Sequence, residues 1–135
     1  MAKSLKSVSR RKQRKAMFTA NAAEKRVMMS SHLSKELRAQ WGFRAFPVHS
    51  QDVVVVKSGK FKGKEGKIES VSREKGKVTV DGCTMPRSSG GTVLYPMDAS
   101  NLEIKQLYVD QDRKASLEKK KTIYEATRAK YANRA

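Results

Sequence analysis

The stretch "GKFKGKEGK", Gly59 to Lys67, sets glycines at 59, 63 and 66 among lysines at 60, 62, 64 and 67. Glycine lets a backbone approach a ligand closely and lysine supplies countercharge, so this is chemistry for phosphate. A nucleotide-binding loop of the G-x-x-x-x-G-K-[ST] type needs four residues between its glycines and a hydroxyl after its lysine, to hold magnesium. Here Gly59 and Gly63 enclose three residues, Lys64 is followed by Glu65, and the segment runs on into strand-like sequence. The phosphate that fits is that of an extended polyanion, a nucleic acid. Gly59, Gly63 and Gly66 then read as structural loop glycines, Gly59 and Gly63 at positive φ or in close approach. Lys60, Lys62, Lys64 and Lys67 read as point charges for phosphates rather than as readers of base edges. Phe61 has two uses open to it: stacking on a splayed base, or packing over a sheet edge.

Other reactive residues are few. His32 and His49 have no cysteine or carboxylate at metal-ligand spacing, and Cys83, the single cysteine, has no identifiable base. One cysteine excludes an internal disulfide and a Cys-rich zinc site, and suits a reducing compartment. Asp98 and Glu103 read as loop and strand-surface charges. The chain is therefore read as a non-enzyme, without cofactor or metal.

Thirty Lys and Arg against thirteen Asp and Glu give a net charge of +17 over 135 residues, which calls for an acidic partner. The charge is uneven. Residues 1–50 carry twelve basic and two acidic residues, residues 51–109 ten and seven, and residues 110–135 eight and four. A nearly balanced folded middle with two basic arms follows. No run approaches the ~18 apolar residues of a membrane span. The acid-free start, up to Glu24, has the composition of a transit peptide. Leu5, Val8, Met17 and Phe18 share no helical face, however, and an arm retained on the protein fits better.

Within residues 1–30, "SRRKQRK" (Ser9 to Lys15) has nothing to bury and is expected to be disordered alone, as an RNA-binding arm, a solvated tail or an import signal. Residues 31–50 read as a short helix and linker: Ser31 caps, Leu33, Leu37 and Trp41 share a face, and Gly42 ends it. Residues 51–109 contain "DVVVVK", "GKIESV", "GKVTVD", "GTVLYP" and "NLEIKQL", five short strands between glycine turns, which suggests a small barrel. Val78 and Val80, and Leu102 and Ile104, alternate as half-buried strands, and Ile68 to Val71 breaks the period and marks a bulge. Residues 110–135 read as a basic helix with Leu117, Tyr124 and Tyr131 at seven-residue spacing, either along phosphates or as a solvated helix.

"QDVVVVKSGKFKGKEGKIESV", Gln51 to Val71, resembles the KOW motif, which implies the first two strands and loop of an SH3-like barrel with Gly63 at its most invariant position. The flanks "MSSHLSKELRAQWGFRAFPV" and "LYVDQDRKASLEKKK" are similar to those of the universal large-subunit ribosomal protein numbered twenty-four in bacteria and twenty-six in eukaryotes. The "SSHLSKELR" leader makes the resemblance one to the eukaryotic and archaeal type. Two departures accompany it: "KGKEGK" is the shorter loop common in archaea and bacteria, and the hairpin "GCTMPRSSGG" carries one charge, Arg87. The resemblance implies an early-binding protein near the peptide exit tunnel, partnered by large-subunit rRNA and neighbouring ribosomal proteins. It further implies a cytoplasmic ribosome location, with nuclear or nucleolar transit in a eukaryote.

The expected protein is mainly β, a small SH3-like (KOW) barrel with a basic N-terminal arm plus short helix and a C-terminal helix. Its expected RNA contacts are Arg10, Arg11, Lys12, Arg14, Lys15, Arg26, Lys35, Arg38, Arg44, Lys57, Lys60, Lys62, Lys64, Lys67, Arg87, Arg113, Lys114, Lys119, Lys120 and Lys121. No membrane partner and no free homo-oligomer are expected. The rivals are a KOW module of a transcription elongation factor, which would accompany a larger partner-binding domain, and a small phosphotransferase, which the broken phosphate loop disfavours.

Overall fold

A computed structural model describes residues 7–132, so the ends of the expected arms, 1–6 and 133–135, lie outside the described residues. The elements are α1 (Arg10–Phe18), α2 (Ala22–Met28), β1 (Ser30–Leu33), α3 (Lys35–Trp41), β2 (Ala45–Pro47), β3 (Val53–Val56), β4 (Glu65–Ser72), β5 (Lys77–Pro86), β6 (Thr92–Met97), a 3-10 turn (Ala99–Asn101), β7 (Leu102–Gln106) and α4 (Gln111–Ala132).

The strands form one mixed sheet in the order β2-β1-β7-β3-β4-β5-β6. Its parallel pair is β1 with β7, where His32 faces Glu103 and Leu33 faces Ile104. β3 runs antiparallel to both β7 and β4. Because side chains alternate across a strand, Val54 and Val56 enter the core while Val53 and Val55 stay half-buried. Val78 and Val80 of β5, and Leu102 and Ile104 of β7, repeat the pattern and complete one core with Leu33, Phe43, Phe46, Ile68 and Cys83. The expected bulge is present: Ile68 pairs with Val80, but Ser70 pairs with Thr79, so the register shifts between them.

Three expectations change. The expected barrel has five strands, whereas this sheet has seven and is open, with β2 and β6 at its two edges. Residues 31–50, expected as helix and linker, contribute β1 and β2 to that sheet. Ser31 does not cap a helix; it sits in β1, where its hydroxyl donates to the Ala99 carbonyl at 2.5 Å. Ser34 caps α3 instead, its hydroxyl accepting from the Leu37 amide at 3.3 Å, and Leu33 belongs to β1 rather than to the helical face. Gly42 ends α3 in the left-handed conformation, as expected.

The basic stretch from Arg10 is helical in the structure, in contrast to the expected disorder. Its residues are helix formers without glycine or proline, but α1 buries no side chain. α2 also buries none, and is held by an Asn21–Glu24 capping box. α4 starts at Asp110, whose carboxylate accepts from the Arg113 amide at 2.7 Å, and docks through Leu117. Tyr124 and Tyr131, further along the seven-residue spacing, are exposed. The helix is anchored through Arg113, Leu117, Lys120 and Lys121.

Candidate nucleic-acid interface

The loop between β3 and β4 is pinned by backbone hydrogen bonds, within itself and to the 3-10 turn before β7. The Gly63 amide donates to the Val56 carbonyl at 2.8 Å, the Val56 amide to the Lys64 carbonyl at 2.9 Å, and the Lys57 amide to the Asn101 carbonyl at 2.8 Å. Gly63 has φ 87°, a conformation that side chains with a Cβ rarely adopt. Gly66 is needed for a different reason. A Cβ there would lie 2.6 Å from the Asp81 carbonyl oxygen and 2.8 Å from Val80 Cγ1, so the β4–β5 approach depends on its absence.

Phe61 takes the packing use. It is buried and meets the Tyr95 ring at 5.4 Å between centroids, while Lys64 Nζ lies 5.2 Å from the centre of the Phe61 ring. The aromatic therefore clamps the loop to β6 and is not offered to a base. Its neighbours Lys60 and Lys62 are exposed and have no ion-pair partner among the described residues. Lys64 reaches toward the Gly82 carbonyl at 3.4 Å, which brings the bend of β5 beside the loop. Cys83, buried one residue further on, has its thiol pKa raised by burial, and Lys64 opposes that shift. A buried, protonated thiol is not a nucleophile.

The expected contact residues divide by what they already touch. Arg10, Arg11, Lys12, Lys15, Arg26, Lys35, Arg44, Lys67, Arg87, Lys114 and Lys119 are exposed without an ion-pair partner among the described residues. Arg14 is also exposed, with its guanidinium 5.3 Å from the Phe18 ring centre. Arg38 is half-buried, its Nε donating to the Leu33 carbonyl at 2.6 Å. Lys57 pairs with Glu103, so its charge is already met.

Arg113 is a correction. It is only 4% exposed, and its two terminal nitrogens donate to the two Asp52 oxygens at 2.6 and 2.7 Å. Lys120 is another: it is half-buried, its Nζ donates to the Ala45 carbonyl at 2.6 Å, and it covers the rings of Phe43 and Phe46 at 4.9 and 5.3 Å. Burial pushes the Lys120 pKa below its ordinary value. Lys121 is half-buried and leans toward the Gln40 carbonyl at 3.5 Å. Arg113 and Lys120 thus hold α4 against β2, and Lys121 leans on α3.

Two exposed cations that sequence reasoning passed over, Arg73 and Lys75, stand on the β4–β5 turn without an ion-pair partner among the described residues. The signal was there in "REKGK", a basic glycine turn like the first. Among the described residues no group of three or more His, Cys, Asp or Glu is placed to hold a metal ion, and no helix is long and apolar enough to cross a membrane.

Comparison with known proteins gives this geometry a family. The large ribosomal subunit protein uL24B of Saccharomyces cerevisiae is 48% identical over 114 residues, which span 84% of this chain and 90% of that protein. The uL24 protein of Dictyostelium discoideum is 39% identical over 92% of this chain and 89% of its own length. The archaeal uL24 of Methanosphaera stadtmanae is 38% identical over 77% and 89%. Residues 7–120 match the model of the ribosomal proteins known as L26 in eukaryotes, together with their archaeal L24-type counterparts, and the chain belongs to that large-subunit ribosomal protein family.

Proposed function

We propose that this protein is a structural constituent of the large ribosomal subunit that binds rRNA through its β3–β4 loop and its basic extensions, and so supports subunit assembly and translation. The observation that carries the reading is the pair Lys60 and Lys62, exposed and without counter-ions among the described residues, on a loop pinned by backbone hydrogen bonds at Val56, Lys57, Lys62, Gly63 and Lys64. A rigid display of unpaired cations loses little conformational freedom when it meets phosphates. The bent sheet around one core serves as the SH3-like platform for that loop, while α1 and the far part of α4 are arms that follow RNA. Neighbouring ribosomal proteins are the other partners, in the cytoplasm, with nucleolar transit during assembly in a eukaryotic cell.

The test is co-sedimentation. Tagged protein expressed in a cell should track the large subunit through a sucrose gradient after a high-salt wash, and purified protein should bind large-subunit rRNA fragments. Release into the top fractions together with co-purification of RNA polymerase would favour the elongation-factor reading instead.

A further inference from the structure

We propose that the cleft lined by Val48, His49, Ser50, Val71 and Arg73 is a second RNA subsite, which takes one unstacked nucleotide with its base on the His49 ring and its phosphate on Arg73. This rests on the RNA-binding reading above. β4 spans the eight residues from Glu65 to Ser72, so at ~3.3 Å per residue the cleft sits roughly 25 Å from the β3–β4 loop and is not part of it.

The His49 ring is held as a platform. Tyr108 backs it at 5.7 Å between centroids with an angle of 11° between the planes, and Nδ1 contacts the Ser50 carbonyl at 2.7 Å. A carbonyl oxygen only accepts, so Nδ1 carries the proton. In that tautomer Nε2 is an acceptor, suited to a ribose 2′-hydroxyl or an exocyclic amine. The His49 backbone is fixed as well, its amide donating to the buried Asp52 carboxylate at 2.9 Å.

The turn that carries His49 is strained. Gln51 has φ 73°, the one positive φ at a non-glycine among the described residues, and its amide donates to the Ile68 carbonyl at 2.7 Å. A non-glycine residue is kept in that region only where its surroundings over-determine it, and such positions cluster at ligand clamps. Arg73, also lining the cleft, is exposed without an ion-pair partner among the described residues, and Val48 and Val71 supply apolar lining. A flat ring, an apolar lining and a free guanidinium match the base and phosphate of one nucleotide. An acidic peptide would answer Arg73 but leave the ring face unused.

The experiment is an NMR titration of the full chain with hexauridylate, with the same backbone lacking its bases, and with hexaglutamate. Hexauridylate should move the His49 and Tyr108 ring signals, and the abasic strand should move Arg73 and the loop lysines but not those rings. His49→Ala should weaken hexauridylate binding roughly tenfold while leaving the abasic strand unaffected. Arg73→Gln should weaken both strands, and the amide pattern of β3 and β4 reports whether either variant remains folded. Shifts at Lys60 and Lys62 with none at His49, Tyr108 or Arg73 would overturn this subsite and leave the RNA-binding reading standing. Shifts at neither place would overturn both. Equal movement of the His49 ring by hexaglutamate would make the cleft a peptide site and refute the nucleotide.

Discussion

Arg113, in the first turn of α4, closes a two-pronged ion pair on Asp52, the residue before β3, and both side chains are buried. Asp52 also accepts from the backbone amides of His49 and Tyr108, both at 2.9 Å, and Arg113 donates to the carbonyls of Tyr108 at 2.8 Å and Pro47 at 3.2 Å. Both carboxylate oxygens and both terminal guanidinium nitrogens are therefore used more than once, the condition under which a buried pair is tolerated. One contact ties the C-terminal helix, the edge strand β2 and the strained turn together.

Removing one partner should be far worse than removing both. Arg113→Met leaves a buried carboxylate without its cation, a change that costs about 3–5 kcal/mol. Asp52→Asn with Arg113→Met should recover part of that loss. Thermal melts of the single and double variants measure the difference, and strictly additive losses would contradict the pairing.

The sequence announced the sheet interior but not this contact. Val54 and Val56, Val78 and Val80, and Leu102 and Ile104 repeat with period two, and local alternation of that kind is a property of a few adjacent residues. β1 and β2 have four and three residues, too short to alternate visibly, and exist because β7 and Arg113 lie beside them. Arg113 and Lys119 look alike in a basic helix, since only the folded chain brings Asp52, 61 residues away, against one of them. The loop glycines were legible because their role is set by their own backbone. Gly66 was legible only as a glycine, because the collision it avoids comes from β5.

That contrast separates two glycine substitutions. Gly63→Ala meets nothing within 4 Å and is opposed only by its φ of 87°, so it should cost about 1 kcal/mol, with Gly63→Asn milder. Gly66→Ala drives a Cβ into the Asp81 backbone at 2.6 Å, which must part β4 from β5 locally. Melting and amide exchange at Val80 and Asp81 should show the second as the more damaging. Equal losses would mean that the close approach is not limiting.

Lys120 makes stability depend on pH in a predictable direction. Its folded pKa lies below the ordinary lysine value of 10.5 because burial disfavours its charge. Between those two values the unfolded chain binds more protons, so the stability contributed by this residue rises with pH across that window. The stability difference between the wild type and Lys120→Met should accordingly shift in favour of the wild type as pH approaches 10.5. Denaturant titrations at neutral pH and in the alkaline range check it, and a shift toward the variant would contradict the burial.

Helix α1 should depend on a polyanion. It buries nothing, has nine residues, and places like charges one turn apart at Arg10 and Arg14 and at Arg11 and Lys15. Short isolated helices are marginal in water, and such repulsion weakens them further. Cα chemical shifts over residues 10–18 should be weakly helical in the RNA-free protein and strengthen when RNA is added. Full helicity without RNA, unaffected by salt, would contradict the argument.

The sharpest prediction concerns which loop lysines carry the salt dependence of RNA binding. Lys60 and Lys62 are unengaged, whereas Lys64 lies over Phe61 and against the Gly82 carbonyl, so the first two should account for most of the counterion release. Each phosphate neutralised contributes roughly 0.7 to 0.9 to the slope of log affinity against log salt. Changing Lys60 and Lys62 together to Ala should then lower the slope by roughly 1.4 to 1.8 units, with similar losses on related and unrelated folded RNAs. Adding Lys64→Ala should remove less than one further unit and should also loosen Phe61, visible as a lower melting temperature. Titrations at several salt concentrations on a large-subunit rRNA fragment and on an unrelated hairpin separate the outcomes. An unchanged slope with loss confined to one RNA would mean that the loop reads bases, and phosphate would be the wrong partner for these lysines.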